Sequence, residues 1–153
     1  MNHVSIWARD LEESARFYEQ LFGMERIPAP RFRHGVVWLR LGQQQLHLLD
    51  AGDAPTGNQH FGLDVDDFEG VYRRAHEFGL LDHAAFGDQI REHPAGWVQM
   101  YLRDPSGNLV EVDWPDASTL DRSVVRGIAR LDEQIPQRGD AAIATLYLSG
   151  PGS

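Results

Sequence analysis

The stretch that most constrains this chain is residues 93–113, HPAGWVQMYLRDPSGNLVEVD. Val98, Met100 and Leu102 alternate with Gln99, Tyr101 and Arg103, the two-residue period of a half-buried strand. Asp104-Pro105-Ser106-Gly107 supplies turn chemistry: proline sets one backbone angle and glycine accepts a positive φ. Asn108 to Trp114 alternates again, with Val110 and Val112 on one face and Leu109, Glu111 and Asp113 on the other. Glu111 therefore points away from the valine face of a strand that reads as central. A carboxylate there needs a partner, because burying an unpaired charge is costly. A metal ion would be one.

The rest of the chain repeats a pattern around this hairpin. His3 to Trp7 alternates as a strand, Asp10 can cap a helix carrying Leu11, Ala15, Tyr18 and Phe22, and Gly23 stops it. Met24 to Pro28 reads as a short edge strand, followed by strands over 36–41 and 45–50. Residues 51–58, AGDAPTGN, are a linker without periodicity. The order then restarts: His60 to Val65 as a strand, Asp66 or Asp67 capping a helix with Phe68, Val71, Tyr72 and Ala75, Gly79 ending it, and a loop from His83 to Glu92 around an edge strand. The result is strand–helix–strand–strand–strand, twice. His3 answers to His60, and His47 to Glu111.

Beyond Pro115 the pattern changes. Leu120, Val124, Ile128 and Leu131 fall at helical steps, predicting a helix over 117–133, and Pro136 and Gly139 break it. Residues 141–148, AAIATLYL, fit helix or strand equally and form an apolar tail that needs cover.

Charge and composition narrow the function. A net charge of −9 argues against a nucleic-acid partner, which demands a basic surface. The absence of cysteine removes disulfides and thiolate chemistry. No stretch approaches the roughly 20 apolar residues of a membrane span, and residues 1–14 carry no secretory pattern. The expectation is a soluble cytoplasmic protein.

Strand parity carries the chemistry. The neighbours of His3, His47, His60 and Glu111 (Val4, Leu46, Leu48, Phe61, Val110 and Val112) are apolar and pack under the helices, so the four polar residues face the opposite, concave side. Two imidazoles and a carboxylate make the facial triad of non-haem Fe(II) sites, and a third imidazole makes a set suited to Zn(II), Ni(II) or Mn(II). Trp7, Trp38 and Trp97 share the cavity-side parity, whereas His34, His76 and His83 read as solvated.

Three segments together, HVSIWARDLEESARFYEQLFGM, HFGLDV and YLRDPSGNLVEV, resemble the vicinal oxygen chelate superfamily, the glyoxalase/bleomycin-resistance/dioxygenase group. The resemblance spans residues 1–114. It implies an α+β fold: two tandem βαβββ modules, 1–50 and 59–114, joined by the linker 51–58 and forming an open cup-shaped mixed sheet around a metal site. A C-terminal helical extension, 115–153, follows. It also implies His3, His60 and Glu111 as ligands of a divalent metal. Near the end of the second module, His93, Tyr101, Asp104-Pro105-Ser106-Gly107 and Glu111 resemble the extradiol ring-cleaving dioxygenases. On that reading Fe(II) serves the cleavage of a small catecholic substrate, His47 moves protons, and Tyr101 and His93 bond the substrate. Two alternatives stand beside it. One is a glyoxalase-like lyase or isomerase on Zn(II) or Ni(II), acting on an α-oxo substrate with His47 as fourth ligand. The other is a metal-free protein that sequesters a drug-like molecule. A homodimer is expected, with residues 117–148 packed across its interface or over the rim of the cup.

Overall fold

Asp10 and Asp67 start the two long helices by the same device. Asp10 accepts a hydrogen bond from the Glu13 N–H at 2.9 Å, and Asp67 accepts one from the Gly70 N–H at 2.7 Å. Each side chain thereby satisfies a backbone donor that the first helical turn leaves without a partner. Gly23 and Gly79 follow the helix ends at φ of 66° and 64°, the left-handed conformation that glycine adopts without penalty. These features belong to a computed structural model, which describes residues 3–29, 35–50, 57, 60–87 and 90–147.

The first helix, α1 (Leu11–Phe22), follows β1 (His3–Ala8) and precedes β2 (Glu25–Ile27), β3 (Val36–Leu41) and β4 (Gln44–Asp50). These strands make one sheet in the order β1-β4-β3-β2, with β1 parallel to β4 and the other pairs antiparallel. The second unit runs β5 (His60–Asp64), α2 (Phe68–Glu77), β6 (Ile90–Glu92), β7 (Val98–Arg103) and β8 (Leu109–Trp114). Its sheet has the order β5-β8-β7-β6-β9, where β9 (Ile128–Arg130) comes from beyond the second unit. The register repeats as well: Ser5 pairs with His47 as Gly62 pairs with Glu111. The α+β architecture of two mixed sheets therefore follows the sequence pattern. One hydrophobic core joins both units, with Tyr18, Leu39 and Leu48 from the first and Phe68, Met100, Val110 and Val112 from the second fully buried.

The C-terminal segment departs from expectation. No helix covers 117–133. A 3-10 turn at Ala117–Thr119 is followed by β9, then by the short helices α3 (Leu131–Gln134) and α4 (Asp140–Ile143). Asp116 accepts from the Ser118 N–H and Asp121 from the Ser123 N–H, and these local turns outcompete the helix. Gly127, at φ 72°, then turns the chain into β9, which pairs in parallel with β6. Consequently β6 lies inside the sheet rather than at its edge. The strands β7 and β8 also differ from the half-buried expectation, being buried on both faces over Val98–Leu102 and Leu109–Asp113.

Of the linker 51–58 only Gly57 is among the described residues; His34 and Leu148 lie outside them. Among the described residues, no helix is long and apolar enough to cross a membrane.

Candidate metal centre

Each sheet carries half of the predicted constellation on the face away from its helix. On the first sheet, His3 and His47 stand on adjacent parallel strands with their rings stacked at 4.5 Å. Trp38, across β3, stacks on the other face of His47 at 4.1 Å, and Gln45 Oε1 lies 2.9 Å from His47 Nε2. Burial, and after it the neighbouring His3, holds the His47 pKa below its ordinary value, so the ring is neutral at physiological pH. A neutral imidazole is the form that binds a metal.

On the second sheet, His60 Nε2 lies 3.2 Å from Glu111 Oε2. Two donors each about 2.1 Å from one ion stand about 3.0–3.4 Å apart, so this pair has the spacing of two ligands on a shared divalent metal. Gly62, opposite Glu111, leaves room for this approach: a Cβ there would meet Asp113 Oδ2 at 2.7 Å and Glu111 Oε1 at 3.7 Å.

Around Glu111 lies a polar network in which Gln99, Tyr101 and Asp113 are buried and His93 is half-buried. His93 Nε2 and Gln99 Oε1 are 2.9 Å apart, and Gln99 Nε2 donates to the Tyr101 hydroxyl at 2.8 Å. Burial first and Glu111 second raise the Tyr101 pKa, which keeps the phenol protonated. Asp113, 4% exposed, is pushed up to about 8 by burial and then by the Glu111 charge. Its Oδ1 is enclosed without a hydrogen-bond partner. His93 stacks on Trp97 at 3.5 Å. Phe86, 40% exposed, stands 5.6 Å from the His60 ring and 4.8 Å from Tyr101 as an aromatic wall.

The predicted ligands thus come together in pairs, His3 with His47 and His60 with Glu111, on separate sheets. Among the described residues, no group of three or more His, Asp or Glu is gathered closely enough to hold a metal ion. Tyr101 and His93 both reach the Glu111 network, while His76 and His83 are exposed. Trp7 is also exposed, at 48%. Sequence reasoning missed Gln99 and Asp113, although their parity matches Tyr101 and Glu111 and would have found them. For Phe86, in an irregular segment, the pattern offers no signal.

A cavity of about 650 Å³ opens between the sheets, lined on one side by Val4, Gln45 and Leu46 and on the other by His60, Phe61 and Asp64.

The family model of the glyoxalase/bleomycin resistance protein/dioxygenase superfamily matches residues 1–112. The mitochondrial methylmalonyl-CoA epimerase of Mus musculus is 26% identical over 131 residues, covering 74% of this chain and 71% of its own length. The crystal structure of lactoylglutathione lyase from Agrobacterium tumefaciens is 26% identical, with a TM-score of 0.57, covering 74% of this chain and 91% of that one. The oxidase ChaP-H2 is likewise 26% identical, with a TM-score of 0.59, covering 76% and 96%.

Proposed function

Because the chain belongs to the glyoxalase/bleomycin resistance protein/dioxygenase superfamily, we propose that it is a divalent-metal-dependent enzyme that moves a proton at the carbon next to a carbonyl of a small substrate. The observation that carries this reading is the matched pair of half-sites: His47 stands to His3 as Glu111 stands to His60. Together they supply three imidazoles and one carboxylate, a set suited to Zn(II), Ni(II) or Mn(II). The halves meet when the first unit of one copy pairs with the second unit of another. In the described sheets β1 and β5 each have a single neighbour, so both offer an open edge for that pairing.

A divalent ion held there supplies a Lewis acid and a template for the substrate's oxygens. The protein's own residues do the rest. Glu111 is the carboxylate of the set; its Oε2 lies 3.2 Å from His60 Nε2, and the carboxylate is the group that takes up and returns a carbon-bound proton. Asp113, holding its proton at neutral pH, tempers the Glu111 charge. Tyr101, fixed by Gln99, remains a hydrogen-bond donor. Trp38 keeps water from one face of His47.

A second reading, Fe(II)-dependent extradiol cleavage of a catechol, is favoured by the connected run His93–Gln99–Tyr101–Glu111. In it His47 moves protons instead of binding metal.

Metal analysis of anaerobically purified protein, with the same analysis on Glu111→Ala and His60→Ala, tests the shared premise. Full metal content in both variants would sink it. Mixing His3→Ala chains with Glu111→Ala chains tests the pairing: a mixed dimer carries one intact site, so metal binding absent from each variant alone should reappear. For the reaction, deuterium wash-in next to the carbonyl of methylmalonyl-CoA, or of small α-oxo compounds tested beside it in D₂O, supports proton transfer. Uptake of O₂ across a panel of catechols supports the second reading.

A further inference from the structure

We propose that residues 139–147 form a displaceable strap roofing the Glu111 half of the site, with Tyr147 as its site-facing residue. The strap is read from contacts independent of the assigned function; only the identity of what passes beneath it rests on that reading. The first sign is burial where a cup should be open. The core packs one face of β7 and β8, yet Gln99, Tyr101, Glu111 and Asp113 on the other face are buried as well. The C-terminal segment supplies cover there. The Trp97 indole N–H donates to the Ala144 carbonyl at 3.0 Å, which ties the strap down beside β7. Three residues on, the Tyr147 hydroxyl is enclosed without a hydrogen-bond partner among the described residues, on the side of the Asp64 carboxylate and within reach of the Asp113 and Glu111 charges. A tyrosine suits this place, since its ring seals the gap and its hydroxyl faces the polar floor.

The hold is light. The helix α4 is a single turn, and Ile143 and Leu146 are 72% and 52% exposed, so little apolar surface anchors the strap. Segments with few buried contacts open at low free-energy cost, which is what a roof over a binding site requires. The strap lies beyond the family-matched residues 1–112. A ligand reaching Glu111 must lift it and then meets the Tyr147 hydroxyl.

The test uses the full chain and two readouts. In ¹⁵N-resolved NMR spectra the Trp97 indole N–H, assigned by its loss in Trp97→Phe, should exchange slowly with water in the wild type and rapidly in Tyr147→Ala. The unchanged Trp114 indole signal reports that the fold is intact. By stopped flow with Zn(II) alone and a chelating dye, Tyr147→Ala should gain and lose the metal about fivefold faster, the effect of removing the ring that seals the gap. Tyr147→Phe, which keeps the ring, should fall between the two. A Trp97 indole that exchanges in the wild type as fast as that of exposed Trp7 overturns the strap. Zn(II) kinetics unchanged in Tyr147→Ala overturn the roof. A wild-type chain that takes up no Zn(II) sinks the metal assignment instead, and the indole exchange then decides the strap by itself.

Discussion

The Tyr18 hydroxyl on α1 donates a 3.0 Å hydrogen bond to the Asp104 carboxylate, in the turn between β7 and β8 of the other sheet. The same carboxylate accepts from the Ser106 N–H and from the Asn108 N–H and side-chain amide. Asn108 also donates to the Trp7 carbonyl, and Ser106 Oγ accepts from the Arg9 N–H. The Asp-Pro-Ser-Gly-Asn turn is therefore a clamp between the two units. Tyr18→Phe should leave the core volume unchanged and remove one donor from a buried carboxylate. The expected loss is about 2 kcal/mol, read as a lower urea midpoint with an unchanged m-value.

His47 separates the two readings of the site. If it is a ligand, His47→Ala should strip metal as His60→Ala does. If it moves protons, the variant should keep its metal and lose turnover by about 10²–10⁴-fold. Metal content and rate measured on one preparation decide between them.

His93 sets a pH dependence of stability. Burial holds its pKa below the ordinary 6.5, against the opposing pull of Gln99. The unfolded chain therefore takes up the proton first. Stability is fully present above pH 6.5 and is lost as pH falls through the lower folded value. The melting temperature should drop between pH 7 and pH 5, and His93→Gln should flatten that slope. An equal slope in both proteins would show that the acid sensitivity lies elsewhere.

Gly62 is the close approach in the site. In Gly62→Ala the new methyl would meet Asp113 Oδ2 at 2.7 Å, so the buried carboxylate must move. The expected cost is about 1–3 kcal/mol, with weaker metal binding because Glu111 shifts along with Asp113. Metal affinity equal to the wild type would show that the glycine serves the strand and not the site.

The parts of this fold that are legible in the sequence are those governed by local rules. Asp10 and Gly23 bracket α1 because capping is a matter of neighbouring residues. The pairing of Ser5 with His47 and of Gly62 with Glu111 follows from the repeat. Parity correctly gives the face of each polar residue, but a face is not a distance. It cannot say whether the His3–His47 pair meets the His60–Glu111 pair, because strand register makes each pair within its own sheet while the packing of one sheet against the other sets the distance between them. The spacing of Leu120, Val124 and Ile128 misleads for a related reason. Asp116, Asp121 and Gly127 act locally against a helix, and β9 exists because β6 has an open edge far away in sequence. Strand propensity depends on the neighbour as much as on the residue.

The clamp at Asp104 also bears on how such a chain can be recombined. A second half grafted from a relative brings its own turn, but that turn must find a hydroxyl at position 18 and a free carbonyl at position 7 on the recipient. A chimera joined at the linker inherits two intact sheets and a broken seam. Matching the seam residues, rather than the ligands, is then the first requirement for exchanging specificity between members of this superfamily.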